Sequence, residues 1–170
     1  MTVRVTILLG GMLGPDGWID SDGMLFLRDD LRKIDGVIVE TLTWNEWTAA
    51  LNNIADDDKT AIIGYSGGGS RATWLANSIH HPTIDLMVLY DPSPSWQMQR
   101  IGSNVKRAIC YHNTKPDMFV PFIGSLGGGV LVGTNVETID IAMPHLKVQF
   151  SQSLHQRTTL AVKALIEAQS

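Results

Sequence analysis

Thr60-Ala61-Ile62-Ile63-Gly64-Tyr65-Ser66-Gly67-Gly68-Gly69-Ser70-Arg71 joins an apolar run to Gly64-x-Ser66-x-Gly68 and then to the start of a helical pattern. A serine at the tip of a strand-to-helix turn sits in strained backbone, with its hydroxyl pushed out of the sheet. Glycines at 64 and 68 remove side chains that would collide with the neighbouring strand or helix. The helix that follows aims its first amides at the space where an oxyanion would form. The stretch predicts an α/β fold built around a nucleophilic serine, Ser66.

Outward from this turn, strand-like and helix-like stretches alternate. Val3 to Leu9 reads as a first strand closed by Gly10-Gly11, and Met24, Leu27, Leu31 and Ile34 mark an amphipathic helix over Gly23 to Ile34. Val37 to Leu42 is a second strand; Asn45 then caps a predicted helix whose apolar face is Trp47, Ala50, Leu51 and Ile54. Thr60 to Tyr65 is the third strand, and Ala72, Leu75, Ala76 and Ile79 stripe the helix after Ser66, which stops before Pro82. Leu86 to Tyr90, Val105 to Tyr111 and Glu137 to Ala142 supply three more strands. A last helix starts near Ser151 and turns Leu154, Ala161, Val162, Leu165 and Ile166 inward. The order predicts a doubly wound, mainly parallel sheet of about five to six strands with helices on both faces, a three-layer α/β/α architecture. Near-continuous apolar strands fit burial on both sides. The stretch from Thr114 to Val136, rich in glycine and carrying Pro116 and Pro121, is expected as a shaped loop at the site.

At 170 residues the chain is expected to form one domain, spanning 1–170. Apolar residues make up 44% and charged residues 18%, the proportions of a compact globular protein. A net charge of −4 argues against nucleic acid or an anionic membrane as the main partner. With Cys110 as the one cysteine, an intramolecular disulfide and a Cys₂His₂ zinc site both fail. The N-terminus alternates like a strand, without a basic segment or a long apolar helix, so neither a signal peptide nor a membrane span is expected and a cytosolic location is the default.

Ligands of such a sheet gather at the carboxyl ends of its strands. A serine hydrolase of this kind needs its acid and then its base on later loops, in that chain order. Of the five histidines, His80 and His81 lie on the wrong side of the sheet, and His155 falls within the last helix. His112 ends the fifth strand; His145 follows the last strand and precedes the last helix, the post the fold requires of a base. Two aspartates suit the acid. Asp91 ends the fourth strand and is preferred, because a carboxylate closing a buried strand is held more rigidly than Asp117 on the glycine- and proline-rich loop. Either would hold the imidazole in the required tautomer. Backbone amides of Gly67 and Met12 are the candidate oxyanion donors, each worth roughly 3 kcal/mol in acyl transfer.

These residues resemble the α/β-hydrolase superfamily, especially its small lipase-like, cutinase-like and esterase-like members that lack a cap domain. Gly64-Tyr65-Ser66-Gly67-Gly68 is similar to the nucleophile elbow, Leu89-Tyr90-Asp91-Pro92-Ser93 to the acid-bearing stretch of pancreatic-type lipases, and Pro144-His145-Leu146 to their base-bearing turn. Asp117 also resembles a family pattern, the Asp-x-x-Val-Pro loop, so the resemblance leaves both aspartates standing. Gly10-Gly11 departs from the usual His-Gly of the oxyanion turn, which removes a supporting hydrogen bond.

The reading implies a cofactor-free, metal-free serine hydrolase acting on a small or polymeric carboxylic ester, or on a thioester. No insertion is long enough for a helical cap, so an open site is expected, with Met12, Trp18, Trp44, Trp96 and Phe119 on or beside the loops around it. Two rivals are a catalytically inactive binding or scaffold protein of the same fold and a phosphate binder using the Ser66–Ser70 glycine-rich turn. The second lacks the lysine of a phosphate-binding loop.

Overall fold

The computed structural model describes residues 2–10, 21–54, 57–79, 83–93, 99–114, 119–120, 124–125 and 127–168. Six parallel strands form its main sheet: β1 (Val3–Leu9), β2 (Val37–Thr43), β3 (Lys59–Tyr65), β4 (Leu86–Tyr90), β5 (Ala108–Asn113) and β6 (Val136–Ile141). Their spatial order is β6-β5-β4-β3-β1-β2. The chain leaves β1 toward one edge, returns past it to β3, and then steps outward to the other edge. That reversal, between β1 and β3, is where parallel sheets open a crevice at their carboxyl ends.

Among the described residues, four α-helices accompany the strands: α1 (Asp22–Leu31), α2 (Gly67–Ser78), α3 (His145–Val148) and α4 (Gln152–Glu167). Successive residues of a strand point to opposite faces, and the two cores follow that alternation. Val5, Ile7, Ala61, Ile63, Val88 and Ile109 pack with Met24 and Leu27 of α1 and with Leu154 and Val162 of α4. Leu8, Ile62, Met87, Leu89 and Cys110 pack on the other side with Ala72, Leu75 and Ala76 of α2. The three layers expected from the pattern are therefore present.

Differences are local. The helix expected after Asn45 is a five-residue 3₁₀ turn, Ala49–Asn53. Thr43 explains it: its hydroxyl donates to Asn45 Oδ1, and its N–H donates to Glu46 Oε2 at 3.0 Å, so the polar side chains fasten a turn instead of capping helical amides. Ala50 is still buried, whereas Leu51 is exposed. β5 begins three residues later than expected, because Val105 makes only an isolated bridge to Ile84. In the segment expected to be irregular, Leu131–Val132 pairs with Gln99–Arg100, and Phe119–Val120 pairs with Gly124–Ser125. No helix among the described residues is long and apolar enough to cross a membrane.

Candidate active site

β3 ends at Tyr65 and α2 begins at Gly67, leaving Ser66 alone to make the turn. Its backbone stands at φ 53°, ψ −122°, strained for a residue with a Cβ. Close packing requires this sharpness. A Cβ at Gly64 would lie 2.6 Å from the Gly68 carbonyl oxygen, and one at Gly68 would lie 2.6 Å from that of Leu9. The Ser66 N–H donates to the Tyr90 carbonyl at 3.1 Å, and its own carbonyl accepts from Gly69 and Ser93, each at 3.0 Å. Although Ser66 sits at the N-cap of α2, its hydroxyl makes no capping bond.

The hydroxyl meets His145 instead: Ser66 Oγ is 3.0 Å from His145 Nε2. His145 opens α3 directly after Pro144, and its ring is fully buried. On the far side of that ring, Nδ1 lies 2.6 Å from Asp91 Oδ2. A carboxylate only accepts, so Nδ1 carries the proton, Nε2 is the acceptor, and the Ser66 O–H donates to it. Asp91 follows β4 with φ 42°, a second non-glycine residue in the left-handed region. Gly128 N–H donates to Asp91 Oδ1 at 2.6 Å, and Asn113 Nδ2, from the end of β5, donates to Oδ2 at 3.4 Å.

Several neighbours of this line were not legible in the sequence. Tyr65 stacks on the His145 ring, with centroids 5.2 Å apart, and its hydroxyl donates to the His145 carbonyl at 3.2 Å. Tyr90 stands beside Tyr65 in register, and its hydroxyl lies 2.6 Å from Thr158 Oγ1 of α4. Side chains just below the carboxyl ends thus tether α3 and α4 to the sheet. The available signal is that Tyr65 and Tyr90 immediately precede Ser66 and Asp91. Ser93 places its Oγ 3.3 Å from Ser66 Oγ, and Asn113 also donates to the Met143 carbonyl at 2.9 Å. Only the tertiary arrangement brings these to the site.

Ser66, Asp91 and His145 are each 0% exposed. Part of the cover is backbone: a Cβ at Gly127 would lie 2.5 Å from Asp91 Cγ and 2.5 Å from His145 Nδ1, so the chain at Gly127 runs directly over that pair. His112 is not part of the constellation; its Nδ1 is 3.1 Å from Asp140 Oδ1 of β6. His155 is buried within α4.

Gly67 is the first residue of α2, and amides of a first helical turn have no acceptor within the helix. Gly10, closing β1, lies against Ser66, since a Cβ there would stand 3.1 Å from Ser66 Cβ. Met12 and Asp117 lie outside the described residues, as do Trp18, Trp96, His80 and His81. Among the described residues, no group of three or more His, Cys, Asp or Glu is placed to hold a metal.

Among the solved structures similar to this chain are two that share this architecture. ClbQ from the colibactin NRPS/PKS pathway matches with a TM-score of 0.62 at 11% identity, covering 99% of this chain and 98% of that one. Alpha/beta hydrolase domain-containing protein 10 from mouse matches with a TM-score of 0.57 at 11% identity, covering 98% and 90%. Neither a protein-family model nor a curated protein matches the sequence. The chain has the α/β-hydrolase fold.

Proposed function

We propose that the protein is a serine hydrolase that cleaves a carboxylic ester or thioester through an acyl-enzyme, with Ser66 as nucleophile, His145 as base and Asp91 as the acid that orients it. The observation that carries this reading is the unbroken line from Ser66 Oγ to His145 Nε2, 3.0 Å, and from His145 Nδ1 to Asp91 Oδ2, 2.6 Å. The strained backbone of Ser66 supports it, because such strain persists where the surrounding structure holds a residue for a purpose. The rival reading, an inactive scaffold, would be favoured by a histidine without a carboxylate; here Asp91 fills that place.

In this mechanism Ser66 Oγ bonds to the substrate's carbonyl carbon while His145 Nε2 takes the hydroxyl proton. Asp91 stabilises the imidazolium, and the Gly67 and Met12 amides hold the oxyanion. Collapse of the tetrahedral intermediate breaks the bond to the alcohol or thiol, which leaves with the proton from His145. Water then attacks the acyl-enzyme, gives its proton to Nε2 and releases the acid; the same proton returns to Ser66. Tyr65, stacked on the ring and bonded to the His145 carbonyl, keeps the imidazole aligned through both halves.

Ser66→Ala tests the proposal. The expected result is loss of p-nitrophenyl butyrate hydrolysis and of fluorophosphonate labelling, with the melting temperature retained. Undiminished turnover in the folded variant would refute it.

A further inference from the structure

Arg71 follows Ser66 by five positions, about 7.5 Å along the axis of α2. A helical Cα–Cβ bond tilts toward the helix N-terminus, so the stem of Arg71 leaves α2 toward its N-terminal end. The Arg71 guanidinium carbon lies 4.0 Å from the ring centroid of Trp74, on α2, and 5.1 Å from that of Trp44. Trp44 directly follows the carboxyl end of β2, the end of the sheet that carries Ser66. Trp47 braces the arrangement by meeting Trp74 edge to face, with centroids 6.3 Å apart.

The surroundings of this cation are unbalanced. Burial pulls the Arg71 guanidinium below its ordinary pKa. Arg4 and Lys59 have Asp58 and Asp85 as counter-ions, but among the described residues no carboxylate pairs with Arg71. Among the described residues, Trp44 Nε1 is likewise a buried donor without an acceptor. Aromatic faces engage the flat sides of a guanidinium and leave its in-plane N–H fork free for a planar anion. A partly desolvated charge gains from an acceptor, and among the described residues none is placed on Arg71.

We propose that Arg71, framed by Trp44 and Trp74, binds a carboxylate or phosphate of the substrate, so that the bond cleaved at Ser66 belongs to an anionic ester or thioester. This rests on the hydrolase reading above. The anion can belong to the acyl chain, as in a half-ester of a dicarboxylic acid, or to the leaving group, as in a phosphate-bearing thiol.

Two substrate pairs separate these sources. Mono-p-nitrophenyl adipate is compared with p-nitrophenyl hexanoate, and hexanoyl-coenzyme A with the hexanoyl thioester of N-acetylcysteamine. The wild type is expected to prefer the anionic member of one pair by about tenfold or more in kcat/KM, and Arg71→Gln to reduce that preference by a similar factor, while Arg71→Lys keeps part of it. In parallel, Ser66→Ala is titrated with adipate and with coenzyme A, following tryptophan fluorescence. Saturable quenching by the ligand of the preferred pair is expected, and its loss on adding Arg71→Gln. No preference in either pair, or a preference that survives Arg71→Gln, overturns the anion site. Equal losses on both members of a pair with a lowered melting temperature would assign Arg71 to packing, which also overturns it. Inactivity of the wild type on all four substrates would refute the hydrolase reading instead, and the fluorescence titration would then decide the site by itself.

Discussion

Gly127→Ala adds one methyl group at a position that takes no part in the proposed chemistry. Gly127 is not in the left-handed backbone region, unlike Gly128 at φ 83°, so alanine meets no conformational obstacle there. The obstacle is space. The new Cβ would stand 2.5 Å from His145 Nδ1 and 2.5 Å from Asp91 Cγ, about 1 Å inside ordinary contact. Either the Asp91–His145 pair yields, lengthening the 2.6 Å bond between them, or the loop retreats and strips Asp91 of its 2.6 Å bond from Gly128 N–H. A misplacement of about 1 Å in a reacting constellation costs on the order of 10²-fold in rate. The assay is kcat/KM for p-nitrophenyl butyrate, with thermal unfolding as the control. We expect a fall of about 10²-fold, carried by kcat, and a modest loss of melting temperature. Turnover within threefold of wild type, about 0.6 kcal/mol, with unchanged unfolding would mean that the Gly127 backbone does not close over this pair, and the reasoning would fail.

Other predictions bear on separate parts of the molecule. Asp91→Asn should lower kcat by up to about 10⁴-fold by misdirecting the His145 tautomer, with Asp117→Asn costing far less; the reverse order in the same assay would move the acid to Asp117. Burial depresses the pKa of His155, offset in part by the Gln149 backbone and Asp30. The unfolded state therefore binds the proton more readily, and stability present above about pH 6.5 should decline as the pH falls toward the lower folded value. His155→Gln should flatten that part of a melting-temperature profile taken from pH 7.5 to 5. Burial also pushes the Cys110 thiol up to about 12, so the native protein should resist iodoacetamide at pH 8 and react once unfolded in guanidinium; rapid labelling of the folded protein would contradict the packing of β5.

What could be read in advance depended on how local the cause was. The strands were legible because both faces of the sheet are covered, and Ile62-Ile63 or Leu86-Met87-Val88-Leu89 must then be apolar at every position. α2 and α4 were legible from one buried stripe each. The segment after β2 was misread because Trp47, Ala50 and Ile54 carry a helical spacing, while Thr43 and Glu46 bond to each other and close a turn instead. The close cover of Asp91 and His145 was not foreseen either, since Gly127 leaves no local sign that its backbone passes over them.

The amino-acid order alone determined the layers, the direction of the strands and the tight turn at Ser66, because periodicity and glycine sterics act over a few residues. It also put Asp91 and His145 at the ends of strands or just beyond them. Their approach to within 2.6 Å of each other belongs to the tertiary structure. It depends on β4, β5 and β6 lying side by side, on Tyr65 and Asn113 fixing the chain around His145, and on Gly128 reaching back to Asp91. Those contacts join residues far apart in the chain, so no local pattern records them; packing of the sheet against its helices decides them.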